Sequence, residues 1–404
     1  MSVESKVSQI VKLDAREQTV KLSSLVDELV ASGSVTGLKT IAQRVLSEDV
    51  LVQVAKPVAV HIAEAIKSLP EESFYDFACE LVASIKQCSS SSSFDEADFL
   101  LRDALFSYCV NCEEYTEAAQ YLAGTNLDSN TRVFSDLEKV DLFIKCAEAV
   151  LEADEAIDAE IYVNKASALI NAVSESKAGS EDIFGPVQLR FRVTYARVLD
   201  ANRKFVEAAV RYYGLSTTTG YNVLQEDLLE LLGKAVTCAI LGKSGQQRSR
   251  VLALLVKDER LGELDTHPKY SAHRLVLQKM HREQIIRPAE LEGFANVLMP
   301  HQKAVAGDGY SLLDKAVVEH NVAAAANIYR NISLEQLGAL LGLEAGRAER
   351  VAAAMITEGR LRGFLDQTGG GFLVFEEGRD DVLASWDLGI EEICSDVSDV
   401  LLLY

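Results

Sequence analysis

The sequence predicts a mainly α-helical protein: an N-terminal solenoid of helical hairpins of tetratricopeptide-like size, then a winged helix with a small β-hairpin, and last a C-terminal helix. Three observations lead there. Apolar residues return at steps of three and four along almost all of the 404 residues, the spacing of one helix face. A short pattern of an aromatic, a Glu and paired alanines recurs at intervals of about 40 to 50 residues. After Asn331 the texture changes to two short helical stretches and two strand-like runs around a glycine cluster.

The helical stripe is clearest between Glu138 and Glu152, where Val140, Phe143, Ile144, Ala147, Val150 and Leu151 share a side. Pro70, Pro186, Pro268, Pro288 and Pro300 are expected at seams between helices, where a missing N–H donor costs least. The run Ser89–Ser93 has no apolar period and reads as a loop. Tyr115–Ala119 and Phe205–Ala209 carry the repeated pattern, with Glu155–Ala159 at a related position between them. Paired alanines let two helices approach closely, so stacked hairpins fit, although a helical bundle without true repeats fits too. Either way the chain is helical to about Leu298.

Ser333 with Gln336 forms a potential capping box that opens a helix over Leu334–Leu341. Gly342 ends it, and a second helix follows over about Gly346–Glu358. Leu361–Asp366 and Phe372–Phe375 then flank Thr368-Gly-Gly-Gly371, which permits a hairpin turn. Two short helices and a hairpin make a winged helix. DNA recognition needs positive charge facing phosphates, yet residues 331–379 hold five Arg, no Lys and seven Asp or Glu, so a protein–protein module is expected. Asn331-Ile-Ser333 matches a glycosylation sequon, which a cytosolic chain does not use. From Asp380 onward no basic residue occurs, and Ile390, Ile393, Cys394, Val397, Val400, Leu401 and Tyr404 form one helical stripe. Ile390, Ile393, Val397 and Leu401 are the expected partner-binding residues; docking of this helix on its own winged helix is the alternative.

Composition excludes several classes. With 48% hydrophobic residues the chain is not disordered throughout, and no run of 18 apolar residues is present to cross a membrane. No secretory signal is visible at the start, so a cytosolic or nuclear protein is expected. A net charge of −21 disfavours nucleic acid and anionic membranes as partners. Seven scattered cysteines suit reduced thiols, and the lone pair Cys109 and Cys112, which lacks the second pair that structural zinc requires, is expected as ordinary buried or half-buried thiols. Leu241-Gly-Lys-Ser244 contains the tail of a phosphate loop, but Thr237 stands where the leading glycine belongs. None of the six histidines forms HExxH or His-x-His, and no nucleophile sits in a GxSxG setting. No catalytic residue, cofactor site or metal site is expected.

Helical repeats closed by a winged helix resemble the PCI family, found in the proteasome lid, the COP-9 signalosome and translation initiation factor three. The stretches that carry the resemblance are Tyr195–Asp200 with Arg203–Ala209, Gly245–Arg250 with Lys257–Arg260, Leu298–Ala304, Ala316–Asn321 and Met355–Arg360. Within the family they are similar to a signalosome subunit, while the first 90 residues share only helical character. The resemblance implies a repeat arm over 1–190, a PCI domain over 191–379 (helical part 191–330, winged helix 331–379) and an assembly helix over 380–404. It also implies a non-catalytic scaffold in the cytoplasm and nucleus. Such a scaffold supports removal of a NEDD-type ubiquitin-like modifier from cullin-RING ubiquitin ligases by an isopeptidase in another subunit. Partners would be other signalosome subunits, through the winged helix and terminal helix, and cullin-RING ligases through the N-terminal repeats. A scaffold subunit of the proteasome lid is the alternative. Gly262–Ala272 looks longer than the family's usual connection, and the chain stops sooner after its last helix than many relatives do.

Overall fold

The computed structural model describes residues 7, 9–10, 14–47, 50–88, 91–129, 131–176, 181–218, 223–265, 267, 269–304, 309–367, 371–375, 386, 390 and 393. The chain divides into two compact units, Met1–Asn202 and Arg203–Tyr404. The helix Glu181–Ala201 spans the 190/191 boundary expected from sequence, and the first unit ends one residue after it.

In the first unit, α1 (Ala15–Ala31), α2 (Val35–Leu46), α3 (Val52–Ala65), α4 (Glu71–Gln87) and α5 (Asp95–Asn111) share one core that includes Leu22, Ile41, Ile62, Phe77, Leu101 and Leu105. α1 packs on α3 and α3 on α5, while α2 packs on α4, so alternate helices line up in two layers as a solenoid requires. α6 (Tyr115–Ala123), α7 (Asp136–Glu152), α8 (Ala156–Ser176) and α9 (Glu181–Ala201) continue the array. α7 is buried on two sides. Val140, Ile144, Ala147 and Val150 enter one cluster and Leu142 and Cys146 a second, whereas Phe143 and Leu151 are only half-buried.

The paired alanines behave as their size predicts: Ala118, Ala119, Ala159, Ala208 and Ala209 are all buried at helix contacts. Two residues before each of those helices the backbone takes positive φ, at Glu113 (65°), Asp154 (60°) and Arg203 (61°). Gly33 (65°) holds the same place between α1 and α2. At three of these corners the next residue's N–H returns to a carbonyl of the preceding helix: Ser34 to Leu29 (3.0 Å), Glu114 to Cys109 (2.9 Å) and Glu155 to Val150 (3.1 Å). The hairpins thus turn by one repeated device.

Two expectations need correction. Pro186 lies inside α9 rather than at a seam, and Pro57 likewise lies inside α3. Each is the sixth residue of its helix, so each breaks only one bond near the end of a long element. Cys109 is buried as expected of an ordinary thiol, but Cys112 is exposed at the corner that ends α5.

One charge is deep in this unit. Arg102 is only 2% exposed; its Nε donates to Asp98 at 2.5 Å and its Nη1 to the Tyr121 carbonyl at 2.9 Å. Gly124 makes room for it, since a Cβ there would lie 2.3 Å from that Nη1.

The second unit opens with α10 (Phe205–Ser216), α11 (Gln225–Leu241), α12 (Gln246–Val256), α13 (Leu261–Leu264), α14 (His273–His281), α15 (Glu292–Val297) and α16 (Leu312–Ala326). α11 lies against α10, α14 and α16, and its last turns from Leu232 to Leu241 are almost wholly buried. Its C-terminal carbonyls are covered by Arg248, whose Nε donates to Ala239 at 3.1 Å and Nη2 to Ile240 at 3.4 Å. A cation suits a helix C-terminus, and burial lowers the guanidinium pKa to about 10. The connection Gly262–Ala272 does more than cross the surface. It delivers Tyr270 onto α11 at Gly233, where a Cβ would meet the ring at 2.6 Å.

Candidate assembly interface

Residues 331–375 of this unit form a winged helix: β1 (Asn331–Ser333), α17 (Leu334–Leu341), α18 (Ala345–Thr357), β2 (Gly363–Asp366) and β3 (Phe372–Phe375). The helix boundaries follow local chemistry. Ser333 Oγ accepts from the Gln336 N–H at 3.3 Å, which satisfies one orphan donor of α17. Gly342 ends the helix at φ +70°, where side chains other than glycine are strained.

The sheet has three strands rather than a bare hairpin, in the order β1–β3–β2, all antiparallel. β1 occupies the segment read from sequence as a sequon. Ile332 pairs with Leu373 and Leu365 pairs with Leu373 from the other side, facing the core. The alternate residues face outward: Phe364 opposite Val374 and Asp366 opposite Phe372, with Phe364 and Phe372 exposed. Gly371 has φ +78° beside Leu334, whereas Thr368, Gly369 and Gly370 lie outside the described residues.

α16 joins this module to the helices before it. Three consecutive buried side chains on α16 do the joining. Glu319 pairs with Arg360, whose Nη2 lies 3.2 Å from Oε1, at the turn after α18. His320 Nε2 lies 3.0 Å from the Gln284 carbonyl. Asn321 exchanges two hydrogen bonds with the backbone of Ile286, both 2.9 Å. Burial, and then the nearby Arg248, lower the His320 pKa to about 4, and burial alone lowers that of His273 to about 4. Both rings are therefore neutral at pH 7, as fits structural rather than catalytic histidines.

α18 occupies the place that reads DNA in other winged helices. Its Arg347 is held by Tyr310, which accepts a hydrogen bond at its hydroxyl and lies 4.7 Å beneath the guanidinium at its ring. Among the described residues, Cys109, Glu114 and Glu117 form the one group whose ligand atoms approach within 4.8 Å as metal ligands would. Burial and then the two carboxylates push the Cys109 thiol up to about 12, so it stands here as a neutral thiol.

Of the four expected partner-binding residues, Ile390 and Ile393 are helical and exposed, by 54% and 64%; Val397 and Leu401 lie outside the described residues. Trp386, one step of four before the predicted stripe, is helical and 68% exposed. The spacing of Trp386, Ile390 and Ile393 in sequence, steps of four and three, is that of one helix face. Three large apolar side chains on one exposed face are what an unpartnered interface presents.

Comparison with known proteins identifies both halves of the chain. Residues 278–377 match the PCI domain family, and residues 1–224 match the family described as PSMD12/CSN4, N-terminal. Full-length similarity resolves the two proteins in that second description. The chain is 35% identical over 393 residues to COP9 signalosome complex subunit 4 of Arabidopsis thaliana, covering 96% of this chain and 94% of that one. To the Drosophila melanogaster subunit 4 it is 35% identical over 370 residues, covering 91% and 84%. To the subunit 4 of Dictyostelium discoideum it is 33% identical over 388 residues, covering 96% and 93%. The chain belongs to the COP9 signalosome subunit 4 family of PCI proteins.

Proposed function

We propose that the chain is a non-catalytic scaffold subunit of the COP9 signalosome, acting in cytoplasm and nucleus. There it supports removal of a NEDD-type modifier from cullin-RING ligases by another subunit's isopeptidase. The observation that carries this reading is similarity over more than nine-tenths of the chain to relatives named as that subunit. The relatives do not favour the proteasome-lid alternative. Assembly runs through two surfaces of the second unit: the Trp386, Ile390 and Ile393 face, and the open strands of the winged-helix sheet with Phe364 and Phe372. The repeats of the first unit reach the cullin-RING substrate.

Changing Ile390 and Ile393 to Asp tests the first surface. Both side chains are more than half exposed, so the isolated chain should melt unchanged, within about 0.5 kcal/mol. The same variant should no longer co-purify isopeptidase and the other subunits from cells. A monomer that unfolds on this change would place the helix on its own domain; intact assembly would leave the sheet as the docking surface. Pure chain should not cleave a NEDD–cullin conjugate, and zinc-dependent cleavage by it alone would overturn the scaffold reading.

A further inference from the structure

A cavity of about 410 Å³ opens in the second unit between the start of α10, the segment Lys243–Arg248 and Arg360. Three of the stretches that carry the family resemblance, Arg203–Ala209, Gly245–Arg250 and Met355–Arg360, contribute to its wall. Its charge departs from that of the molecule. In a chain of net charge −21, Arg203, Lys204, Lys243, Arg248 and Arg360 face one carboxylate, Glu207.

Two of these cations are committed elsewhere. Arg248 covers the end of α11, and Arg360 is held by Glu319 and Glu358. Arg203 and Lys243 are exposed and, among the described residues, form no ion pair. Phe205 and Val206 give the cavity an apolar wall. Cations that share one wall and outnumber its single carboxylate repel one another, an arrangement that a bound anion relieves. The first turn of α12 adds to the same side, because Gly245 supplies no side-chain cap there.

The loop that brings Lys243 is the Gly-Lys-Ser run set aside as an incomplete nucleotide motif. That exclusion stands, since a helix precedes it and Thr237 is buried against His273. What the cavity offers instead is room and charge for one compact dianion on an apolar carrier. The volume lies within the ligand-sized range of roughly 300–1,000 Å³, more than a bare phosphate fills. From this we propose that the cavity binds a phosphate monoester carried on a peptide, with Arg203 and Lys243 as the principal ligands and Lys204 beside them. Glu207 sits at the same wall and opposes the anion.

The test is calorimetric titration of the full chain with a short Leu-flanked phosphoserine peptide, its unphosphorylated counterpart and inorganic phosphate. The phosphopeptide should bind at least about tenfold tighter than the unphosphorylated peptide, and tighter than inorganic phosphate. Changing Arg203 and Lys243 together to Gln should weaken it about tenfold at an unchanged melting temperature, since both are surface side chains. Glu207→Gln should tighten it. Equal affinity for the two peptides, or undiminished phosphopeptide affinity in the double variant, overturns the site. Inorganic phosphate binding as tightly as the phosphopeptide overturns the peptide as its source.

Discussion

Glu113 and Asp154 show how a single backbone torsion organises the first unit. A side chain at positive φ is strained by about 1 kcal/mol, which glycine avoids. Gly33 already uses glycine at the equivalent corner. Asp154→Gly or Glu113→Gly should therefore raise stability by about 0.5 kcal/mol in urea denaturation, whereas Gly33→Val should lose about 1 kcal/mol. In the wing, Gly371→Val should destabilise by about 1 kcal/mol or more, because φ is +78° and its Cβ would lie 2.9 Å from Leu334 Cδ1. Unchanged melting would remove the positive-φ argument at that turn. The buried histidines set a pH dependence. Their folded pKa values, about 4, lie below the ordinary 6.5, so protons bind the unfolded chain first. The stability they confer is complete above pH about 6.5 and is lost as pH falls from there through about 4. At pH about 5.5 each should cost about 1.4 kcal/mol relative to pH 7.5. His320→Gln should flatten its share of that slope in denaturation midpoints.

The joint between α16 and the winged helix is where one element positions another. Glu319 is 4% and Arg360 14% exposed at the side chain, so removing one partner strands a charge. Arg360→Ala should cost about 3 kcal/mol or more, while replacing both by Met and Leu should recover most of the loss. Equal losses in the single and double variants would mean that the pair acts by packing alone. How far such features were legible in the sequence follows their range. α17 could be read because its signals are local: Ser333 caps it, Gly342 ends it, and Leu334, Leu337 and Leu341 lie on one face. β1 could not, because three residues gain strand character only from pairing with β3, some 40 residues away. Nothing local in the sequence marks Arg102, Arg248 and Arg360 as buried, since the carbonyls and carboxylates that hold them come mostly from other turns or elements. Trp386 extends the stripe by one more step of four, but Gly389 weakens the helical signal between it and Ile390. Val397 and Leu401 rest on that same stripe alone.

For the molecule as a whole, 61 acidic against 40 basic residues make self-repulsion the main long-range term. Ion pairs offset part of it. Arg190 bridges Asp141 and Glu148, and Arg197 reaches Glu152, but these pairs are largely surface-exposed and weak. Repulsion should win, so the melting temperature should rise as NaCl increases from about 20 to about 200 mM and the screening length shortens. A falling melting temperature would show that the ion pairs dominate. The same excess of negative charge predicts no binding to duplex DNA at any of these salt levels. The self-contained hairpin corners have a further consequence for how the protein is made. Ser34, Glu114 and Glu155 each close their corner on the helix just synthesised, at Leu29, Cys109 and Val150. No strand or helix from later in the chain is needed to complete those bonds. As the first unit leaves the ribosome, each hairpin can turn as soon as its second helix has emerged and then dock on the one before it. The exposed apolar residues Trp386, Ile390 and Ile393 follow the first unit in the chain, so those hairpins can fold before these side chains leave the ribosome.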